Sequence, residues 1–122
     1  MGSRLRLHRL RRKGEIGRVL RRGRVGQAAG LRLRALRSQG TAVRLALAVS
    51  RRVGGAVVRN RLRRRLREAV RAELAGIVPG VDLLVSAGPE ALGWSFQELR
   101  AHLREALRRA GAWAEGPESQ KR

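Results

Sequence analysis

Thirteen residues, Arg59 to Arg71, hold seven arginines and a single acid, Glu68, yet they keep a helical apolar stripe. Leu62, Leu66, Ala69, Val70 and Leu74 form that stripe, while Arg59, Arg61, Arg63, Arg64, Arg65, Arg67 and Arg71 occupy its flanks and back. Like charges at i, i+3 and i+4 destabilise an isolated helix. A helix of this kind persists only if a core takes its stripe and something offsets its repulsion. A merely solvated basic face would interleave acids, and here there is one. The pattern therefore demands a packed domain and predicts a polyanionic partner.

The charge follows the same division. Residues 1–71 carry 23 Lys and Arg against Glu15 and Glu68, and residues 72–122 carry six basic and seven acidic residues, so the net +20 belongs to one stretch. A length of 122 residues with 43% hydrophobic content fits one domain with a modest core and not a disordered basic tail. The absence of cysteine excludes disulfide scaffolds, zinc fingers and thiol nucleophiles. No apolar run reaches the roughly 20 residues of a membrane span. Met1 to Lys13 is Arg-rich without the apolar core of a secretory signal, and an organellar presequence is disfavoured by the scarcity of serine. Only Lys13 and Lys121 are lysines, a bias that suits bidentate phosphate recognition but equally a GC-rich coding sequence, given the heavy Ala, Gly and Leu.

Periodicity predicts the elements. Ile16, Val19 and Leu20 share one face of a short helix stopped by Gly23, and Gly26 to Gly30 reads as a loop. Leu31 to Ala35 and Val43 to Ser50 alternate as strands. Their bulky apolar faces oppose faces that are small or basic, the latter including Arg32, Arg34, Arg44, Ala46, Ala48 and Ser50. Ala56 to Val58 suits a short strand or a helix approach, with Asn60 as the cap of the basic helix. Val81 to Ala87, with little polar interruption, reads as a central strand. Ser95 and Glu98 have capping-box spacing ahead of a helix buried through Phe96, Leu99, Leu103, Ala106, Leu107 and Ala110 and stopped by Gly111. The expected fold is α+β, a single mixed sheet of about four strands with helices packed on it, in the order αβββαβα. Residues 1–111 form the expected RNA-binding domain, with 1–12 a basic arm and 112–122 a flexible tail.

The chain is poorly equipped for chemistry of its own. Its acids are scattered, against the converging carboxylates that a two-metal nuclease needs. His8 and His102 stand alone, Ser50, Ser86 and Ser95 lack a base partner, and Gly54-Gly55 lacks the spacing of a phosphate loop. No catalytic or metal-ligating residue is assigned. A DNA-reading helix would be expected after another helix, in a finger or in a dimer, whereas this basic helix follows a strand. Base-stacking aromatics of the RNA-recognition-motif kind are missing, since Trp94, Phe96 and Trp113 are all C-terminal. Structured RNA recognised by shape and phosphate geometry fits best, with no DNA and no membrane partner.

The stretch from Ala48 through Ser50-Arg51-Arg52-Val53-Gly54 to Arg59-Asn60-Arg61-Leu62-Arg63-Arg64-Arg65-Leu66-Arg67-Glu68 resembles the signature of the protein subunit of bacterial ribonuclease P. The flanks agree: Leu10 to Gly23, Asp82 to Pro89 and Ser95 to Gly111 look like that family's first helix, last strand and last helix. The resemblance implies a left-handed β-α-β crossover, which handedness rules would not suggest. It implies a bacterial, cytoplasmic partner of a catalytic RNA that removes the 5′ leader of precursor tRNA, with magnesium held mainly by RNA and substrate. Arg51, Arg52, Arg59, Asn60, Arg61, Arg63, Arg64, Arg65 and Arg67 would bind the catalytic RNA. Ile16, Leu20, Arg32, Arg34, Arg44, Ala46, Ala48 and Ser50 would line a leader cleft between the first helix and the sheet. The chain departs from the family pattern at Ile16, Leu20 and Arg34, where aromatics are usual, and at Gly55, where lysine is usual. The remaining alternatives are a structural RNA-binding protein of ribosomal type and a stand-alone nuclease.

Overall fold

The computed structural model describes residues 6–114. The elements are β1 (Leu7–Arg9), α1 (Lys13–Arg22), β2 (Arg24–Ala28), β3 (Leu31–Arg37), β4 (Val43–Val49), α2 (Ala56–Ala72), β5 (Val81–Ala87) and α3 (Phe96–Arg109). Five strands form one mixed sheet in the order β1-β4-β5-β3-β2. β4 and β5 run parallel and are joined through α2, while β3 is antiparallel to both β5 and β2. The α+β class is as expected, with one strand more than the sequence suggested.

Strand alternation gives the sheet two faces with different tasks. Leu31, Leu33, Ala35, Val43, Leu45, Val81, Leu83 and Val85 are buried on one face against the apolar stripes of α2 and α3. The other face carries three rows that run across the strands: Arg44–Asp82–Leu36, Ala46–Leu84–Arg34 and Ala48–Ser86–Arg32. There α1 packs Ile16 and the fully buried Val19 onto Leu84, Leu36 and Ala46, leaving the third row open. α1 thus covers part of the face opposite the bulky one.

Four local expectations change, and one choice left open is resolved. Part of the basic arm is a strand: β1 pairs with β4 in parallel, and Leu10 N–H donates to Leu45 O at 2.9 Å. Gly26 is not in a loop but within β2, where the α3 backbone at Ala106 and Ala110 fills the space a side chain would need. Ala56–Val58 is the first turn of α2 and not a strand, because the first helical hydrogen bond runs from Arg59 N–H to Gly55 O. Asn60 therefore lies inside the helix rather than capping it, and its Oδ1 accepts from Arg63 Nη1 at 2.6 Å. Of the expected tail, Ala112 is buried and Trp113 bridges to Ile77. Residues 115–122 and 1–5 lie outside the described residues.

α3 starts as expected: Ser95 Oγ accepts from Glu98 N–H, and Ser95 N–H donates to Glu98 Oε1 at 2.8 Å. It is tied to the end of α2 by Glu73, whose carboxylate is almost fully buried and accepts from Arg100 Nε at 2.6 Å and from Arg104 Nε and Nη2 at 3.1 Å. Burial pushes the Glu73 pKa up, but the bonds from Arg104 and Arg100 outweigh it and hold the carboxyl below its ordinary range. Its stabilisation is complete above the unfolded carboxylate pKa and is lost as pH falls through the depressed folded value. Glu73→Ala should cost about 2–3 kcal/mol at neutral pH, since it strands two guanidiniums at a packed joint. Urea unfolding should show that difference shrinking under acid conditions; a pH-independent difference would contradict the ion-pair account.

Candidate nucleic-acid interface

The basic helix presents its arginines in two directions. Asn60, Arg63, Arg64 and Arg67 recur at helical spacing along the side of α2 that faces β1 and the free edge of β4. Together with Arg9 and Arg11 they wall a groove of about 530 Å³ whose floor is Leu10, Ile16, Leu45, Ala46 and Leu47. No carboxylate lines it among the described residues. Burial and the adjacent Arg9, Arg71 and Arg63 together lower the Arg67 pKa, while Glu68 opposes only weakly. The guanidinium remains charged at any physiological pH, so cations stand together without a counter-ion. Such a groove gains when an anion enters it.

The other arginines of this set sit differently. Arg65 leaves the groove and donates from Nη2 to Trp94 O at 3.1 Å, tying α2 to the segment before α3. Arg59 is partly buried, with an Nε that has no partner among the described atoms. Arg61 is exposed away from the groove lining. Arg51 and Arg52 are exposed on a 3-10 turn whose start is capped by Ser50, with Oγ accepting from Arg52 N–H at 3.1 Å.

A second groove of about 560 Å³ opens on the sheet face that α1 leaves uncovered. Arg32, Ala48, Ser50 and Arg52 line it, together with Ser86, Gln27, Gly88 and Glu90. The two grooves adjoin along β4, the first at Ala46–Leu47 and the second at Ala48–Ser50. Ile16 borders the first groove, and Leu20, 48% exposed, stands on α1 beside the sheet. Arg34 Nη1 donates to Leu20 O at 3.2 Å, so it braces the last turn of α1.

Arg44 does not belong to this lining. The β4–β5 register sets it beside Asp82, which accepts from Nε at 2.7 Å and Nη2 at 2.8 Å, and Glu15 of α1 accepts from Nη1 at 3.1 Å. The Asp82 bonds raise its pKa against the opposing effect of burial, and Glu15 adds to the rise. Two carboxylates cancel its charge, and it serves as the clamp that seats α1 on the sheet. Sequence reasoning missed Arg9, Arg11, Ser86 and Gln27. A three-residue strand gives no periodic signal for Arg9, Arg11 lies in the short link between β1 and α1, and the position of Gln27 was hidden in an apparent loop.

A family model described as Ribonuclease P matches residues 5–111. The protein component of ribonuclease P from Gluconacetobacter diazotrophicus is 44% identical over 108 residues, covering 87% of this chain and 93% of that protein. The chain belongs to the ribonuclease P protein family. The component from a Roseiflexus species is 43% identical over 107 residues, 87% of this chain and 88% of its own length. The ribonuclease P protein of Thermotoga maritima superposes with a TM-score of 0.75 at 26% identity, covering 89% of this chain and 99% of that one. The Staphylococcus aureus protein, 21% identical, shares the fold with a TM-score of 0.76, covering 87% and 97% of the two chains. Membership in the ribonuclease P family makes the chain a protein component of a ribonucleoprotein endonuclease of tRNA 5′-end processing, and it implies RNA partners.

The two kinds of arginine separate in stability measurements. Arg44→Ala should cost about 2–3 kcal/mol because it leaves the buried Asp82 carboxylate unpaired. Arg32→Ala, on the open face, should stay within about 0.5 kcal/mol. Equal urea midpoints for the two variants would contradict the division into clamp and lining.

Proposed function

We propose that the chain binds the catalytic RNA of ribonuclease P through the groove between α2 and β1, and carries the 5′ leader of precursor tRNA across the open sheet face beside α1. The observation that supports this most strongly is the convergence of Arg9, Arg11, Arg63, Arg64 and Arg67 in one groove without a carboxylate among the described residues. The family resemblance suggests which RNA enters. The adjoining second groove supports a path for a single strand, because Ala48, Ser50 and Ser86 let a backbone lie close while Arg32 and Arg52 meet its phosphates.

In this reading the protein breaks no bond. Its guanidiniums lower the repulsion between two RNA backbones and hold the leader relative to the cleavage site. Magnesium is held by the RNA and its substrate. No three His, Asp or Glu side chains converge on one point among the described residues. Glu15 and Asp82 are both committed to Arg44, and Glu90 is the one carboxylate in the lining of the second groove among the described residues. Among the described residues the donor set therefore does not fit a metal of the protein's own. No helix among the described residues is long and apolar enough to cross a membrane. The bacterial ribonuclease P relatives support a workplace in the cytoplasm.

The departures in the cleft set its energetics. An aromatic under a base contributes about 1–3 kcal/mol, and Ile16, Leu20 and Arg34 supply none. Affinity for the leader should rest on phosphate contacts, with little preference among bases.

Two measurements test the assignment. Arg64→Ala combined with Arg67→Ala should lower the log–log salt slope of binding to ribonuclease P RNA by about 1.4–1.8, at about 0.7–0.9 per lost phosphate contact. Arg65→Ala should lower it less. Unchanged slopes in the double variant would mean that the α2 groove is only a solvated surface. Leu20→Phe should tighten precursor tRNA by several-fold, worth about 1 kcal/mol, without tightening mature tRNA. Equal effects on the two substrates would remove the leader from this face.

A further inference from the structure

Arginines that this interface does not use gather near the opposite edge of the sheet. Arg22 ends α1, Arg24 begins β2 and Arg37 ends β3, and all three are exposed. With Ala110 and Gly111 after α3, they line a groove of about 410 Å³. Gly23 brings them together: its N–H donates to Val19 O at 2.8 Å, and its Cα lies so close to the backbone of Val19 and Ala35 that a side chain would collide. The chain must therefore turn from α1 into β2 hard against β3. The Arg24 guanidinium fills the space beside Gly111.

The simplest reason for arginines here is neutralisation of helix ends. Both α1 and α3 finish at this groove, and each C-terminus carries about −0.5 of an elementary charge. Those two ends offset roughly one guanidinium out of three. Among the described residues no carboxylate lines the groove or pairs with Arg22, Arg24 or Arg37. A surplus of cationic charge is left facing solvent.

Distance separates this surplus from the α2 groove. The first groove has Arg9 on the edge strand β1, whereas Arg37 ends β3 and Arg24 begins the opposite edge strand β2. Arg9 is thus three to four strand spacings from Arg37 and Arg24, about 14–19 Å, beyond the Debye length of about 8 Å at physiological salt. An RNA backbone seated on α2 therefore does little to screen Arg22, Arg24 and Arg37.

We infer that Arg22, Arg24 and Arg37 form a second phosphate-binding surface, which grips the sugar–phosphate backbone of an RNA segment other than the one held by α2. The chain is then a two-sided bridge between RNA segments. This rests on the RNA-binding reading above. The segment belongs either to the catalytic RNA or to the precursor tRNA, and the chemistry of the groove is the same for both.

The test uses the full chain carrying Arg22→Ala, Arg24→Ala and Arg37→Ala together, and the matching triple Lys variant. One arm follows binding to ribonuclease P RNA over a salt series, and the other follows binding of precursor tRNA to the preformed complex. The Ala triple should lose about two to three units of log–log slope in one arm, and that arm identifies the source. The Lys triple should keep most of the slope, because charge is retained. Arg37→Ala alone, at the end of a strand, should lose about one unit and serves if the triple unfolds.

Arg64→Ala with Arg67→Ala is measured alongside. If this α2 pair lowers the slope while the Ala triple and Arg37→Ala match the wild type in both arms, the second surface is overturned and the first reading stands. If neither set moves the slope, the RNA-binding reading itself falls. A Lys triple as weak as the Ala triple would also overturn the inference, since the effect would not follow charge.

Discussion

Nine carboxylates have to hold together a chain with 29 Lys and Arg residues, so where each acid is placed decides which elements pack and which surfaces stay charged. Asp82 and Glu15 close on Arg44 and seat α1 on the sheet. Glu73 draws in Arg100 and Arg104 and joins α3 to the end of α2. Glu105 pairs with Arg108 and Arg109 in the last turns of α3, Glu98 caps its first turn, and Glu68 takes Arg71. None of these acids enters the groove of Arg9, Arg11, Arg63, Arg64 and Arg67. Repulsion is cancelled where secondary structures meet and is left standing where a polyanion is to bind.

The sheet converts that allocation into a working surface. Alternation sends leucines and valines of β3, β4 and β5 to the face that α2 and α3 cover, and sends arginines, alanines and serines to the other. On that second face α1 reaches only the first two rows of side chains, because its contacts are limited to a small cluster around Val19 and Leu84. The uncovered row, Ala48–Ser86–Arg32, is where a strand of RNA meets both small side chains and cations. Arg44 thus contributes to function by holding a wall of the cleft, although it lines neither groove.

Much of this was legible before any coordinates. The helical stripe from Leu62 to Leu74, the alternation of β3 and β4, the central position of β5 and the Ser95–Glu98 cap all depend on local periodicity, and local periodicity survives in the chain. What escaped depends on partners distant in sequence. β1 is too short to show a period and exists because β4 offers it an edge. Gly26 looks like a loop residue until the α3 backbone is seen lying against it. Arg44 is indistinguishable from Arg32 in sequence; only the register that sets it against Asp82 separates a clamp from a cleft residue. The division of α2's arginines between the groove and Trp94 O is likewise a consequence of tertiary packing.

The account holds that the chain acts by binding, lending charge and a leader path to a catalysis that belongs to RNA. Reconstitution with a bacterial ribonuclease P RNA at low magnesium tests this most directly. Adding the chain should raise the rate of 5′ leader removal from precursor tRNA, and the chain without the RNA should cleave nothing. Leader removal that is no faster with the chain present, or cleavage by the chain alone, would contradict the account.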